Sequence, residues 1–316
     1  MRISLLMDCG GESPLDLGRA LRWVTDVLGS ETVIRDCVPL KGGISSAVYG
    51  LGVTRNGGVQ RLVLRLFTDE EWLRHAPDLA AHEAANLRKA ETTGVPTPRL
   101  VAVDDSGSAC GLPAVLMTRL PGAVVLRPPA VGPWLEGMAE ALVRLHRTDA
   151  GAHPWDYFTY NDVHSLTTPT WSCSREMWDR ALEAVRQPRP AARTCFIHRD
   201  YHPANVLWAD DKVSGVVDWV NGCRGPAGID LGHCRLNLAL LCGPDVADQF
   251  LQSYRRLAGD AFTYDPFWDL TSAIESLPGP PEVYAGWTAL GVTDLTPVLV
   301  GERYEEHVAR IVGRLA

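Results

Sequence analysis

Apolar residues recur at helical spacing through Leu17, Ala20, Leu21, Val24, Val27 and Leu28, so residues 15–28 are predicted to form an amphipathic helix that ends at Gly29. The period then changes. Residues 33–40, 47–54 and 60–67 read as three strands separated by the Gly42-Gly43 and Asn56-Gly57-Gly58 turns. Residues 78–92 return to helical spacing and stop at Gly94, with Pro96 and Pro98 behind. Residues 100–103 and 114–118 are two more strands around the turn Asp105-Ser106-Gly107. Past Leu120-Pro121-Gly122 the pattern is mostly helical, over 131–147, 175–186, 231–241, 246–257 and after Pro266 and Pro297, with 148–175 as loop. The expected fold is α+β: a small part (1–120) with an antiparallel sheet of about five strands plus a helix, then a larger, mostly helical part (121–316). A cleft between two such parts is a natural ligand site.

The helical part is interrupted by a short strand-rich stretch that carries the strongest chemical signal. Cys195-Phe196-Ile197 reads as a buried strand running into His198-Arg199-Asp200-Tyr201-His202-Pro203-Ala204-Asn205. Val206-Leu207-Trp208 and residues 213–217 then read as a hairpin around Asp210-Asp211-Lys212, followed by Asp218-Trp219. Pairing 208 with 215 makes Asn205 face Asp218, and opposed side chains have β-carbons about 5 Å apart. An amide oxygen and a carboxylate at that separation can share a magnesium ion, which takes oxygen ligands at about 2.1 Å. Asp200, five residues before Asn205, is placed to orient an incoming hydroxyl and accept its proton. His198 belongs to the same catalytic set and is expected to brace the loop, as is His202, with Pro203 fixing the turn. A metal-hydrolase reading of His198, Asp200 and His202 is the chemical competitor, but it gives Asn205 and the sheet no role.

Composition narrows the partners. A net charge of -8 argues against nucleic acid, and no run of about 18 apolar residues suggests a membrane span. The eight cysteines form no Cys-x-x-Cys pair, which favours reduced thiols and a cytoplasmic location. The chain is expected to be a monomer or homodimer.

The run 198–208 followed by Val217-Asp218-Trp219 resembles the signature of the aminoglycoside phosphotransferase and choline kinase superfamily, which shares the two-lobed protein-kinase fold. Arg199 and Ala204 stand where that pattern usually has small residues or Gly. The resemblance covers roughly residues 33–257 and implies a nucleotide-dependent O-phosphotransferase using Mg2+ and ATP or GTP. On that likeness the loop at Gly43, Ser45 and Ser46 is the nucleotide loop, Arg65 the phosphate-contacting base, and Glu83 its helix partner. Residues 114–122 resemble the hinge, where a base would stack near Met117 and bond to backbone from Thr118 to Leu120. Asp230 resembles the acid that tethers the catalytic loop, and His146 is expected to be structural. Only a short step separates Asp218 from Asp230, too little for a protein kinase's activation segment. Acceptors open to the chain include an antibiotic such as an aminoglycoside or macrolide, or a metabolite of choline or sugar type. A non-catalytic nucleotide-binding regulator on the same fold would be expected to have lost Asp200, Asn205 or Asp218. Asp269 and Glu275 are the candidates for contacting substrate.

Overall fold

In a computed structural model, residues 17–41, 46–275, 277 and 279–315 are described. The first part contains α1 (Leu17–Leu28), β1 (Val33–Pro39), β2 (Ser46–Arg55), β3 (Gly58–Phe67), α2 (Glu70–His75), α3 (Leu79–Ala90), β4 (Leu100–Asp104) and β5 (Ala114–Thr118). Its strands form one antiparallel sheet in the order β1-β2-β3-β5-β4. The β2–β3 turn uses Asn56 and Gly57 at positive φ (49° and 75°), the conformation that joins twisted antiparallel strands in two residues.

Alternation along β3 divides its side chains between two cores. Leu62, Leu64 and Leu66 pack on Ala20, Trp23, Val24 and Leu28 of α1. Val63 and Phe67 belong to the opposite face, with Val115 and Met117 of β5, against Leu79, Ala80 and Leu87 of α3. Arg65 lies between Val63 and Phe67, so the strand period aims it at α3. This second core continues without a break into the helical part through Met138, Leu142, Phe196 and Trp219.

The helical part holds β6 (Ala123–Val124), α4 (Val131–His146), α5 (Arg175–Arg186), β7 (Thr194–Ile197), β8 (Val206–Ala209), β9 (Lys212–Val216), β10 (Cys223–Pro226), α6 (Ala227–Cys242), α7 (Pro244–Ala258), α8 (Pro266–Ile274), α9 (Ala285–Ala289) and α10 (Pro297–Val312). The crossing from β5 passes through Gly122 (φ 101°), where a Cβ would come 2.5 Å from the Trp208 carbonyl oxygen. It then adds β6 to the edge of β8, and Ser214 Oγ donates to the Pro121 carbonyl at 2.7 Å. Helices α6 and α8 touch closely because α6 presents Gly228 and Gly232. A Cβ at these positions would meet Trp268 Cδ1 at 2.4 Å and the Trp268 carbonyl oxygen at 2.6 Å.

One expectation about the hairpin is corrected. Val206 pairs with Val216 and Leu207 with Gly215, whereas Trp208 pairs with Val213 and Ala209 with Lys212. The turn is only Asp210-Asp211, both at positive φ (50° and 57°), and the register slips after Leu207. Asn205 therefore lies beside Val217, whose N–H donates to the Asn205 carbonyl at 2.9 Å. Asp218 is one residue further on, turned off the strand line by its own φ of 67°.

Candidate active site

The loop between β7 and β8 is fixed from below by Asp230 in the first turn of α6. This fully buried carboxylate accepts the backbone N–H of His198 at 2.8 Å and of Arg199 at 2.5 Å. His146 Nε2 is 3.0 Å away, and its Nδ1 meets Tyr254 Oη at 2.7 Å. Burial works against charge on Asp230, but the hydrogen bonds from His146 and the loop hold it below the usual carboxylate range. Both residues fill the structural roles expected of them.

His198 is fully buried with both ring nitrogens engaged. Nε2 is 2.9 Å from the Val217 carbonyl, and Nδ1 accepts the Asp200 N–H at 3.3 Å. It ties the loop to the end of the hairpin, and no ring nitrogen is left for proton transfer or metal binding. Its place in the catalytic set is corrected to a positioning role. The metal-hydrolase alternative loses a ligand for the same reason, and among the described residues no group of three or more His, Cys, Asp or Glu is placed to hold a metal.

Asp200 itself is partly open to solvent, with its side chain 30% exposed. Asn205 Nδ2 donates to its Oδ2 at 3.1 Å and to its carbonyl at 2.9 Å. Burial opposes the charge of Asp200, but the surrounding histidines His202, His233 and His198 outweigh it and keep the carboxyl far below its ordinary range. Because Asn205 gives its amide nitrogen to Asp200, its side-chain oxygen Oδ1 remains for a cation. Asp218 offers a second oxygen, since Arg65 Nη1 takes only Oδ1, at 2.8 Å. Two hard oxygen donors fit a magnesium ion, which would take its remaining ligands from nucleotide phosphates and water.

Arg65 Nη1 also reaches Glu83 Oε1 on α3 at 2.9 Å. Both side chains are buried, and Glu83 Oε2 has no partner. Burial pushes the Glu83 carboxyl up to about 7, against the pull of Arg65. The expected Arg65–Glu83 pair is thus formed, and through Arg65 it extends to Asp218. Ser46 opens β2 opposite Phe67, while Gly43 and Ser45 lie outside the described residues. Met117 is buried in the core shared with α3. At the hinge, the N–H groups of Thr118 and Arg119 already donate to the Arg99 and Arg61 carbonyls, both at 2.9 Å. That narrows the backbone edge expected at Thr118 to Leu120. The Leu120 side chain packs over Gly215, where a Cβ would lie 2.2 Å from its Cδ1.

The two substrate candidates separate. Glu275, capping the end of α8, receives a 3.4 Å contact from Tyr157 Oη. Burial raises its pKa, and His233 and Arg199 oppose that rise, so it belongs to the Asp200 neighbourhood. Asp269 does not, and its assignment is corrected. It is 1% exposed, bonded to Arg235, and accepts from Tyr264 Oη at 2.5 Å. The physical reason is helical: positions six apart differ by about 240° around the axis, so Asp269 and Glu275 point to different sides.

Two residues missed in the sequence complete the site. His233, on α6, brings Nε2 to 3.1 Å from Asp200 Oδ1. Its signal is its place three residues after Asp230, on the same helix face. Arg199, also at positive φ (66°), holds its guanidinium carbon 4.1 Å from the Phe158 ring centroid and 4.3 Å from that of Tyr160. Its Nη2 donates to the Phe158 carbonyl at 2.7 Å. A separate cavity of about 270 Å³ is lined by His146 and Tyr254. No described helix is long and apolar enough to cross a membrane, and the described cysteines are all free thiols.

Comparison with known proteins agrees with this geometry. A putative aminoglycoside phosphotransferase from Ralstonia eutropha superposes with a TM-score of 0.61 at 17% identity, over 95% of this chain and 98% of that one. An aminoglycoside phosphotransferase in ternary complex with ADP and hygromycin B gives a TM-score of 0.58 at 15% identity, over 90% and 96% of the two chains. These likenesses establish the two-lobed phosphotransferase fold. In sequence, the homoserine kinase of Rhodospirillum rubrum is 28% identical over 170 residues, 47% of this chain and 50% of the relative. The chain thus spans about half the length of that relative. The sequence profile of the phosphotransferase enzyme family, APH, matches residues 36–267. The chain belongs to that family.

Proposed function

We propose that this protein transfers the γ-phosphoryl group of ATP or GTP to a hydroxyl of a small molecule. The observation that carries the reading is the set Asp200, Asn205 and Asp218, with Arg65 of β3 and Glu83 of α3 facing it. Asp200 orients the acceptor hydroxyl. As the acceptor oxygen bonds to the γ-phosphorus, the bond from phosphorus to the β,γ-bridging oxygen breaks and the nucleoside diphosphate leaves. The hydroxyl proton passes to Asp200 and on to solvent. A carboxylate held so far toward its charged form is a weak base, which suits a loose transition state in which the proton moves late. Asn205 and Asp218 would hold Mg2+, which supplies neutralising charge to the phosphates. Arg65 would add positive charge beside the phosphates. Such a donor is available in the cytoplasm, where we place the protein.

The acceptor class follows from Glu275. Among the described residues no ion pair holds this half-buried carboxylate, which shares its neighbourhood with Asp200, Tyr157 and Arg199. It favours a hydroxyl compound that also carries an amine. Homoserine, named in the relatives, and the aminoglycosides named in the structural neighbours both meet that description. The test is nucleoside diphosphate release with L-homoserine, aminoglycosides, macrolides, peptide antibiotics, choline and sugars. Asp200→Ala should leave nucleotide binding near normal and reduce turnover on any active acceptor by orders of magnitude. Unchanged turnover in that variant would sink the assignment.

A further inference from the structure

Three imidazoles surround Asp200, and geometry separates their roles. His198 has both nitrogens occupied by Val217 and the Asp200 backbone. His202 Nε2 stays 3.8 Å from Oδ1, beyond hydrogen-bond range. Only His233 makes the contact, at 3.1 Å. Asn205 holds the other oxygen at 3.1 Å. With a donor on each oxygen, the carboxylate can no longer turn about its Cβ–Cγ bond.

We propose that His233 is a positioning residue for phosphoryl transfer, fixing the rotation of the Asp200 carboxylate so that a lone pair remains aimed at the acceptor hydroxyl. The proposal rests on the phosphotransferase reading of Asp200. Helix geometry explains why one histidine can do this. Asp230 and His233 are three residues apart and share a face of α6. Asp230 grips the backbone of the loop, and His233 grips the side chain that the loop presents. The helix is itself fixed, because Gly228 and Gly232 seat it against Trp268 with no room for a Cβ. Loop and carboxylate are therefore referenced to a single rigid element.

The groups facing His233 agree with a donor at Nε2. Asp200 lies on one side, and Glu275 adds negative charge from α8. His202 packs edge-on, 5.7 Å between ring centroids. Asn237, one turn further along α6, has its Nδ2 3.2 Å from Nε2 and 3.0 Å from the His233 carbonyl. Asn237 Nδ2 is itself a donor and gives its hydrogen to the His233 carbonyl, so the acceptor for the Nε2 hydrogen is the Asp200 carboxylate.

The test has two arms. Histidine-selective NMR on the folded protein, without any acceptor, follows the His233 imidazole in the native protein and in Asp200→Asn. Loss of the carboxylate charge should move the His233 midpoint to lower pH, and an unchanged midpoint overturns the pairing. The second arm measures ADP release from Mg-ATP with L-homoserine and with hygromycin B as acceptors. His233→Ala should lower kcat about 10- to 100-fold while leaving KM for ATP within twofold, the size expected when a reacting group loses its orientation. His233→Gln, which can still donate from its amide, should recover most of that loss. Native kcat in His233→Ala, or no recovery in His233→Gln with the fold intact, overturns the proposal. Should neither acceptor turn over in the native protein, the acceptor reading fails while the NMR arm still decides the pairing.

Discussion

Arg65 and Asp218 meet at 2.8 Å, one in the middle of β3 and the other at the residue that turns away from the hairpin. The same Nη1 atom holds Glu83. Removing the cation leaves a buried acid without its partner, so Arg65→Met should destabilise the protein by about 3–5 kcal/mol at pH 8. The pH dependence has a definite sign. The folded-state pKa of Glu83 is raised above its unfolded value, so stability is retained at low pH and lost as pH rises through about 7. The deficit of Arg65→Met should therefore be smaller at pH 5.5 than at pH 8, and Glu83→Gln added to it should restore stability. Urea midpoints of the single and double variants at both pH values check this, and a pH-independent deficit would count against it.

Asn86 joins α3 to the residues that follow Asp218. It is fully buried, donates to the Trp219 carbonyl at 2.6 Å and meets His153 Nε2 at 2.7 Å. Asn86→Ala orphans both partners in the core, and each such group costs roughly 1–3 kcal/mol, for a total loss of about 2–6 kcal/mol. Chemical denaturation reads it directly. A change below about 0.5 kcal/mol, the usual range for surface substitutions, would show that these bonds contribute little.

Arg199 combines backbone strain with a compensating contact. A non-glycine residue at positive φ costs about 1–2 kcal/mol, and cation–π contacts return about 0.5–2 kcal/mol. Arg199→Gly should thus leave the thermal midpoint within a few degrees of native. The segment bearing Phe158 and Tyr160, both well exposed, loses its anchor. Chymotrypsin should cut there faster in the variant, and KM for an active acceptor should rise without change in KM for nucleotide. Equal cleavage rates would remove the anchoring role.

Acid should weaken the fold through its buried imidazoles. Burial pushes His82 down to about 4 and holds His307, 1% exposed, well below the ordinary imidazole value. Their folded-state values lie beneath the unfolded one, about 6.5. The unfolded chain then binds more protons, and stability falls as pH drops from 6.5 toward 4. His307→Gln removes one titrating group, so its stability between pH 7 and pH 5 should decline less steeply. A slope equal to that of the native protein would exclude His307 as a contributor.

Much of this was readable from residue order. The strand alternation that separates Leu62, Leu64 and Leu66 from Val63 and Phe67 also aims Arg65 at Glu83, and the outcome is a 2.9 Å ion pair. The Asp230 tether is likewise where its motif implies. What failed depended on details that periodicity does not carry. A two-residue turn at Asp210-Asp211 and a slip after Leu207 moved the hairpin by one position, which no hydrophobic pattern encodes. Asp269 was misassigned because a six-residue interval does not return to the same helix face. His233 went unseen because an isolated histidine in an apolar helix looks like core until its distance from Asp230 is counted.

The apolar core has a consequence for how the two parts are joined. Helix α3 belongs to the first part by chain order, yet Leu79, Ala80 and Leu87 share a continuous core with Met138, Leu142 and Trp219. The face of the sheet that meets α1 is packed separately. The covalent boundary near residue 120 is therefore no boundary in the apolar packing. The Arg65–Glu83 pair, flanked by Val63 and Phe67 on β3 and by Ala80 and Leu87 on α3, is seated in the core that joins the two parts.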